Sequence, residues 1–147
     1  MSIFSSLRIS GSGLTAQRLR MDSIANNIAN AETTRSINGQ PYKRQEVVFQ
    51  PIVSPTALPV SDTGAARRPP EEGVQVAAIV QDETPPRMVY DPSHPDADAN
   101  GYVAYPDIDV ITEMTDMISA TRAYEANVTA INAAKSMATK ALEIARG

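Results

Sequence analysis

All eleven prolines of this 147-residue chain lie between Pro41 and Pro106. A proline ring removes a backbone N–H and clashes with the preceding helical turn, so this distribution divides the chain before any other feature is read. The two outer segments are free to form continuous helices, and the middle is not. The chain therefore reads as helix, Pro-rich middle, helix.

In the first segment Leu7, Leu14, Met21 and Ile28 recur every seven residues, with Ile24, Ala25 and Ala31 widening the stripe. That spacing predicts an amphipathic helix. Gly11 and Gly13 each weaken a helix interior by about 1 kcal/mol relative to alanine, so a bend or frayed start is expected there. The second helix is expected to open at Asp107 or Asp109, just after Pro106, where a carboxylate can accept from the free amides of the first turn. It should run to about Arg146. Val110, Met114, Met117, Thr121, Tyr124, Val128, Ile131, Ala138, Leu142 and Ala145 keep a three-four spacing that only Lys135 interrupts.

At 1.5 Å per residue that helix spans about 55 Å, more than the rest of the chain can cover, so part of it is expected to meet another chain. Ile111 and Ile118 form a short second stripe suited to a neighbour.

Between the helices, residues 46–49, 74–80, 87–90 and 102–105 alternate as short strands separated by turn residues. Residues 54–73, with prolines, glycines and the charged run from Arg67 to Glu72, are expected to be flexible. The expected fold is mainly α with a small β-rich middle. Long, coiled-coil-like paired N- and C-terminal helices (1–32 and 107–147) are expected to flank an extended Pro-rich β/loop region (33–106).

Composition excludes several classes of function. The net charge of −4 comes with both signs mixed, so no basic stripe exists for nucleic acid or an anionic membrane. With no cysteine there is no disulfide, thiolate nucleophile or Cys-bound zinc. Residues 1–10 lack the apolar run of a secretory signal, and no stretch approaches the ~20 apolar residues of a membrane span. If a chain of this kind leaves the cytoplasm, it is expected to do so without Sec-type cleavage.

Three motifs carry a chemical suggestion. Residues 11–16 fit G-x-G-x-x-A, with Glu32 at the distance of a ribose-binding acid, but no strand precedes and none succeeds it, as a dinucleotide site requires. Asp96, Asp98, Asn100, Gly101 and Asp107 fit an EF-hand-like register, while Pro92, Pro95 and Pro106 oppose the flanking helices that such a loop needs. A turn at Asn100–Gly101 leading into a strand accounts for the same residues. His94 is the only histidine and sits in a polar loop, which leaves neither a His pair for zinc nor a catalytic triad. No catalytic, cofactor or metal residues are assigned, and no small-molecule substrate is expected.

The run Ser12-Gly13-Leu14-Thr15-Ala16-Gln17, joined by Ala25-Asn26-Asn27-Ile28-Ala29-Asn30-Ala31-Glu32-Thr33-Thr34, resembles the N-terminal signature of flagellar rod and hook proteins. Thr33-Thr34-Arg35, residues 39–45, residues 94–103 and residues 113–127 are similar to the proximal rod branch of that family. The resemblance implies a non-enzymatic subunit of the basal-body rod, the hollow axial drive shaft that transmits torque. It implies uncleaved export by the flagellar type III apparatus and assembly in the periplasm. The implied partners are other copies of the chain, the rod proteins FlgB, FlgF and FlgG, and the rod-base junction protein FliE.

In this reading the assembly seam comprises Leu7, Leu14, Met21, Ile24 and Ile28 on the first helix. Val110, Met114, Met117, Tyr124, Val128, Ile131 and Leu142 supply it on the second. Asn26, Asn27 and Asn30 are either polar helix-end residues or hydrogen-bonding groups between subunits, where a slipped register would leave them unpaired. The rival reading is a secreted helical-hairpin binding protein with a calcium-stabilised loop.

Overall fold

A computed structural model of the chain describes residues 3–36, 38–53 and 71–146. Its elements run in the order α1 (Ile3–Ala29), β1 (Gln45–Val53), β2 (Glu71–Gln81), β3 (Arg87–Tyr90), β4 (Tyr102–Tyr105) and α2 (Val110–Arg146). The strands form two separate antiparallel pairs, β1 with β2 and β3 with β4. The expectation of two long helices around a small β-rich middle holds. Of the stretch expected to be flexible, residues 54–70 lie outside the described residues. Residues 71–73 belong instead to β2, where Val53 pairs with Glu71 and Pro51 with Val74. The ladder shifts register after Pro51, which has no N–H to give it.

The helices run antiparallel. Asn27 meets Glu113, Arg20 meets Asp116 at 3.3 Å, Met21 meets Thr121, and Gly13 lies against Asn127. The β1–β2 hairpin lies along the other side of α1, held at one end by Asn27 and Ser23 on Gln45 and at the other by Arg8 on Glu72. Nineteen residues of helix and nine of strand both span about 30 Å, so hairpin and helix match in length.

No bend marks the two glycines; α1 is continuous through both. Gly13 is buried because α2 passes there, and a Cβ would sit 3.0 Å from the Asn127 side-chain amide. Ser12 beside it accepts the Val74 N–H at 3.1 Å and donates to the Ile9 carbonyl at 2.7 Å. Opposite lies Gly73 at φ +131°, where a Cβ would collide with Ser12 Oγ. Gly11 meets nothing within 4 Å. Gly11→Ala is therefore expected to stabilise the chain by about 1 kcal/mol, through helix propensity alone. The urea midpoint should rise, and Gly13→Val should lower it.

The seam of α2 differs in phase from the apolar stripe in the sequence. Glu113, Ala120 and Ala134 are buried, and Met117, Tyr124, Asn127, Ile131 and Ala138 are half-buried on the same three-four rhythm. Val110, Met114 and Leu142 are exposed on this chain. Alanines thus fill buried positions of the helix pair that a hydrophobicity pattern passes over. Among the described residues the buried apolar side chains are three alanines, Ile24, Val103 and Pro106. Burying a large aliphatic side chain contributes about 1.5–3 kcal/mol, so this seam is thin for helices of such length.

Candidate functional site, a polar junction beneath the helix pair

α2 starts where the sequence supplies an acceptor. Asp109 takes the Ile111 N–H at 3.0 Å and the Thr112 hydroxyl at 2.7 Å, which makes it the cap in preference to Asp107. Those bonds, the hydroxyl first, hold the Asp109 carboxyl below its ordinary value of 3.8. A depressed folded pKa contributes stability that is present above the unfolded value and lost as pH falls through the folded one. Fraying of the first turn of α2 is thus expected only below about pH 4, and Asp109→Ala should remove that acid step from amide exchange at residues 110–113.

One turn further in, the capped helix points Glu113 into the molecule, where it is 1 % exposed. Arg44, just before β1, donates through Nε to Glu113 Oε1 at 2.7 Å. Burial works to lower the Arg44 pKa, but the hydrogen bond and charge of Glu113, with Glu46 and Asp82 nearby, outweigh it and raise it. The second oxygen of Glu113 accepts from Asn27 Nδ2 at 3.0 Å.

Asn27 is fully buried, and all four of its hydrogen-bonding positions are used. Nδ2 donates to Glu113 and to the Gln45 carbonyl at 2.9 Å, while Oδ1 accepts the Gln45 N–H at 2.9 Å and the Tyr42 hydroxyl at 3.1 Å. Asn27 thus pairs with the end of β1 as a neighbouring strand would. Ser23, one turn earlier, also donates to the Gln45 carbonyl, at 3.1 Å. Burial first, and the Glu113 charge second, push the Tyr42 hydroxyl above its ordinary pKa and keep it a donor. α1, α2 and the base of the hairpin are joined here by one satisfied buried network.

Two family models match the chain. One, described as flagella basal body rod protein, covers residues 7–35, which hold most of α1. The other, described as flagellar basal body rod FlgEFG protein C-terminal, covers residues 99–144, which hold β4 and nearly all of α2. The chain is 46 % identical to the flagellar basal-body rod protein FlgC of Borreliella burgdorferi over all of both chains. It is 45 % identical to that of Bacillus subtilis, over 99 % of this chain and 100 % of the relative. It is 40 % identical to that of Salmonella typhimurium, over 98 % of each.

The chain belongs to the FlgC family of flagellar basal-body rod proteins. It is a structural subunit of the proximal rod in the flagellar basal body, and not an enzyme. The junction of this FlgC-family chain is accordingly a device for holding elements together. Its Asn27 and Glu113 fall within the two matched segments, while Tyr42, Arg44 and Gln45 come from the middle that neither model covers.

The other expected sites take different places in the structure. Asn27 uses both amide hydrogens and both acceptor positions of its oxygen within the chain. Asn30 donates to the Asn26 carbonyl at 2.9 Å and accepts from Thr33, which closes the end of α1; the Asn26 side chain is exposed. Ile24 is buried, and Leu7, Leu14, Met21 and Ile28 are half-buried or more exposed along the same helix. Met117, Tyr124, Val128 and Ile131 are half-buried too.

Glycines 11 and 13 lie in mid-helix, away from any strand-to-helix turn. In the aspartate loop, Asp96 receives Arg35 at 2.6 Å and the Thr34 hydroxyl at 2.8 Å. Asp98 accepts the Asn100 and Tyr102 amides, within the turn expected ahead of β4. Those carboxylates brace a loop, and the calcium-stabilised binding protein finds no support in the relatives. His94 accepts the Asp96 N–H through Nδ1 at 3.1 Å, a loop role rather than a catalytic one.

Sequence reasoning missed Glu113, Tyr42 and Gln45 as partners of Asn27, and with them Arg44 on Glu113 and Ser23 on Gln45. One signal was available: Glu113 and Asn127 stand on the same three-four rhythm as Met117, Tyr124 and Ile131, so polar side chains at those places are seam residues.

Proposed function

We propose that residues 1–32 and 107–147 form the inner, assembling part of the subunit around the rod axis, and that residues 33–106 form an outer part held against it. The observation that carries this reading is the buried junction of Asn27, Glu113 and Arg44. A torque-bearing subunit needs its outer part fixed to its helices, and a satisfied buried network resists the slip that a purely apolar contact tolerates. The helix pair packs in a coiled-coil-like manner along Met21, Ile24, Met117, Tyr124 and Ile131. Leu7, Leu14, Ile28, Val128 and the exposed Val110, Met114 and Leu142 complete the seam against neighbouring chains. Exposed Asn26 is the asparagine that remains able to hydrogen-bond to a neighbour.

The chain travels uncleaved through the flagellar type III export apparatus and takes its place where the rod spans the periplasm. Its neighbours there are copies of itself, FlgB, FlgF, FlgG and, at the rod base, FliE. A thin intramolecular seam supports this dependence on neighbours. The test is fractionation of intact basal bodies, with peptide mapping of the recovered chain and chemical cross-linking to neighbours. Recovery in the rod with the N-terminal peptide intact is expected. Absence from the rod, or a trimmed N-terminus, would refute the corresponding part.

A further inference from the structure

Among the described residues, the antiparallel register leaves one end of α2 extending past the start of α1. Asn27 stands opposite Glu113 and Gly13 opposite Asn127, so tracing the register to Ile3 reaches the level of Met137. From there to Arg146 the helix runs on for about 13 Å beyond the start of α1. Its side chains are those of a contact surface: Leu142 is 66 % and Ile144 81 % exposed, with Met137 and the neighbouring Phe4 also outside. Lys135 and Lys140 flank them, the latter paired with Glu143 at 2.8 Å.

The opposite end of α2 has the complementary character. Ile111 is 76 % exposed, beside exposed Met114 and Ile118, and the flanking charges are the carboxylates of Asp107 and Asp109. Apolar patches edged by opposite charge lie at the two ends of one helix. A patch that matches a different patch makes a heterologous contact, which propagates instead of closing into a pair.

We propose that the projecting end of α2, centred on Leu142 and Ile144, docks on the start of the C-terminal helix of an adjacent subunit built on the same helix pair. That partner offers an acidic, apolar helix start like the one from Asp107 to Ile118. This chain's C-terminal segment matches a family model described as flagellar basal body rod FlgEFG protein C-terminal, so a helix of this kind is shared among rod proteins. The proposal rests on the rod-subunit assignment and adds which surface meets which. Met137, Leu142 and Ile144 supply apolar contact, and the lysines choose the end.

The experiment places the photo-crosslinking residue benzoylphenylalanine at Leu142 in the full chain. Basal bodies are isolated after irradiation and the adducts are mapped by peptide. Adducts to the start of a C-terminal helix in a second subunit are expected. Adducts confined to this chain's own hairpin, or to non-rod components, would overturn the proposal, as would their absence in basal bodies that contain the variant.

Lys135→Glu with Lys140→Glu is the second arm, for which rod incorporation should fall about tenfold through like-charge apposition. Unchanged incorporation would overturn the proposal. Wild-type chain tracked in parallel separates the two levels. Its presence in the rod without the Leu142 adduct sinks only the docking surface, whereas its absence sinks the rod assignment as well.

Discussion

Glu113→Ala is expected to destabilise the folded chain by about 3 kcal/mol, because it leaves an Asn27 N–H buried without a partner and reduces the half-buried Arg44 guanidinium to its longer contact with Glu46 at 3.6 Å. The Asn27 amide is fully buried and has no other acceptor to turn to, whereas Arg44 keeps some contact with solvent. The melting temperature should fall by about 10 °C, given the scaling for a chain of this size.

Glu113→Gln separates charge from shape. It keeps an acceptor for Asn27 but leaves Arg44 only the more distant Glu46 and Asp82 charges, so its loss should be smaller than that of alanine and should deepen at low ionic strength. Circular dichroism melts of the three chains decide the matter. An alanine variant as stable as the parent would mean that the network is incidental and that hairpin and helix pair are held by something else.

The same network shows what a sequence can and cannot disclose. Helix limits and strand positions were legible because their causes are local: prolines stop at Pro106, Asp109 caps the first turn of α2, and residues 87–90 and 102–105 alternate between turns. The role of Asn27 was not legible. Its partners lie 15 residues away at Tyr42, 18 at Gln45 and 86 at Glu113, and no local pattern links them.

The phase of the seam was obscured for a related reason. Large apolar residues announce themselves, but the buried positions of the helix pair include Gly13, Ala16, Ala120 and Ala134, whose hydrophobic signal is weak. Gly13 was read for its propensity, a local property, when its use is the passage of α2 beside it. The exposed Val110, Met114 and Leu142 belonged to the same apolar stripe in sequence, and only the packing distinguishes those that α1 covers from those left open.

Ile131→Asp tests the seam where it depends least on the junction. Ile131 is half-buried on the rhythm shared by Met117 and Tyr124, eighteen residues beyond Glu113, about 27 Å along the helix. A carboxylate placed there either stays charged without a partner or drives the helices apart, at a cost on the order of 3 kcal/mol. Synthesis should be unaffected. Export should also survive, because a chain passed through a secretion channel unfolded has no seam to disrupt.

Incorporation into basal bodies should fail, and motility with it, since every subunit of a torque-bearing array needs the pair closed. Arg122→Asp introduces the same side chain on the exposed face and controls for charge alone. Secreted protein, basal-body content and swimming would be measured for both variants. Equal incorporation of the two would place the assembly core elsewhere than in the α1–α2 seam. Loss of secretion by Ile131→Asp alone would mean that the chain meets its export machinery with the helix pair already formed.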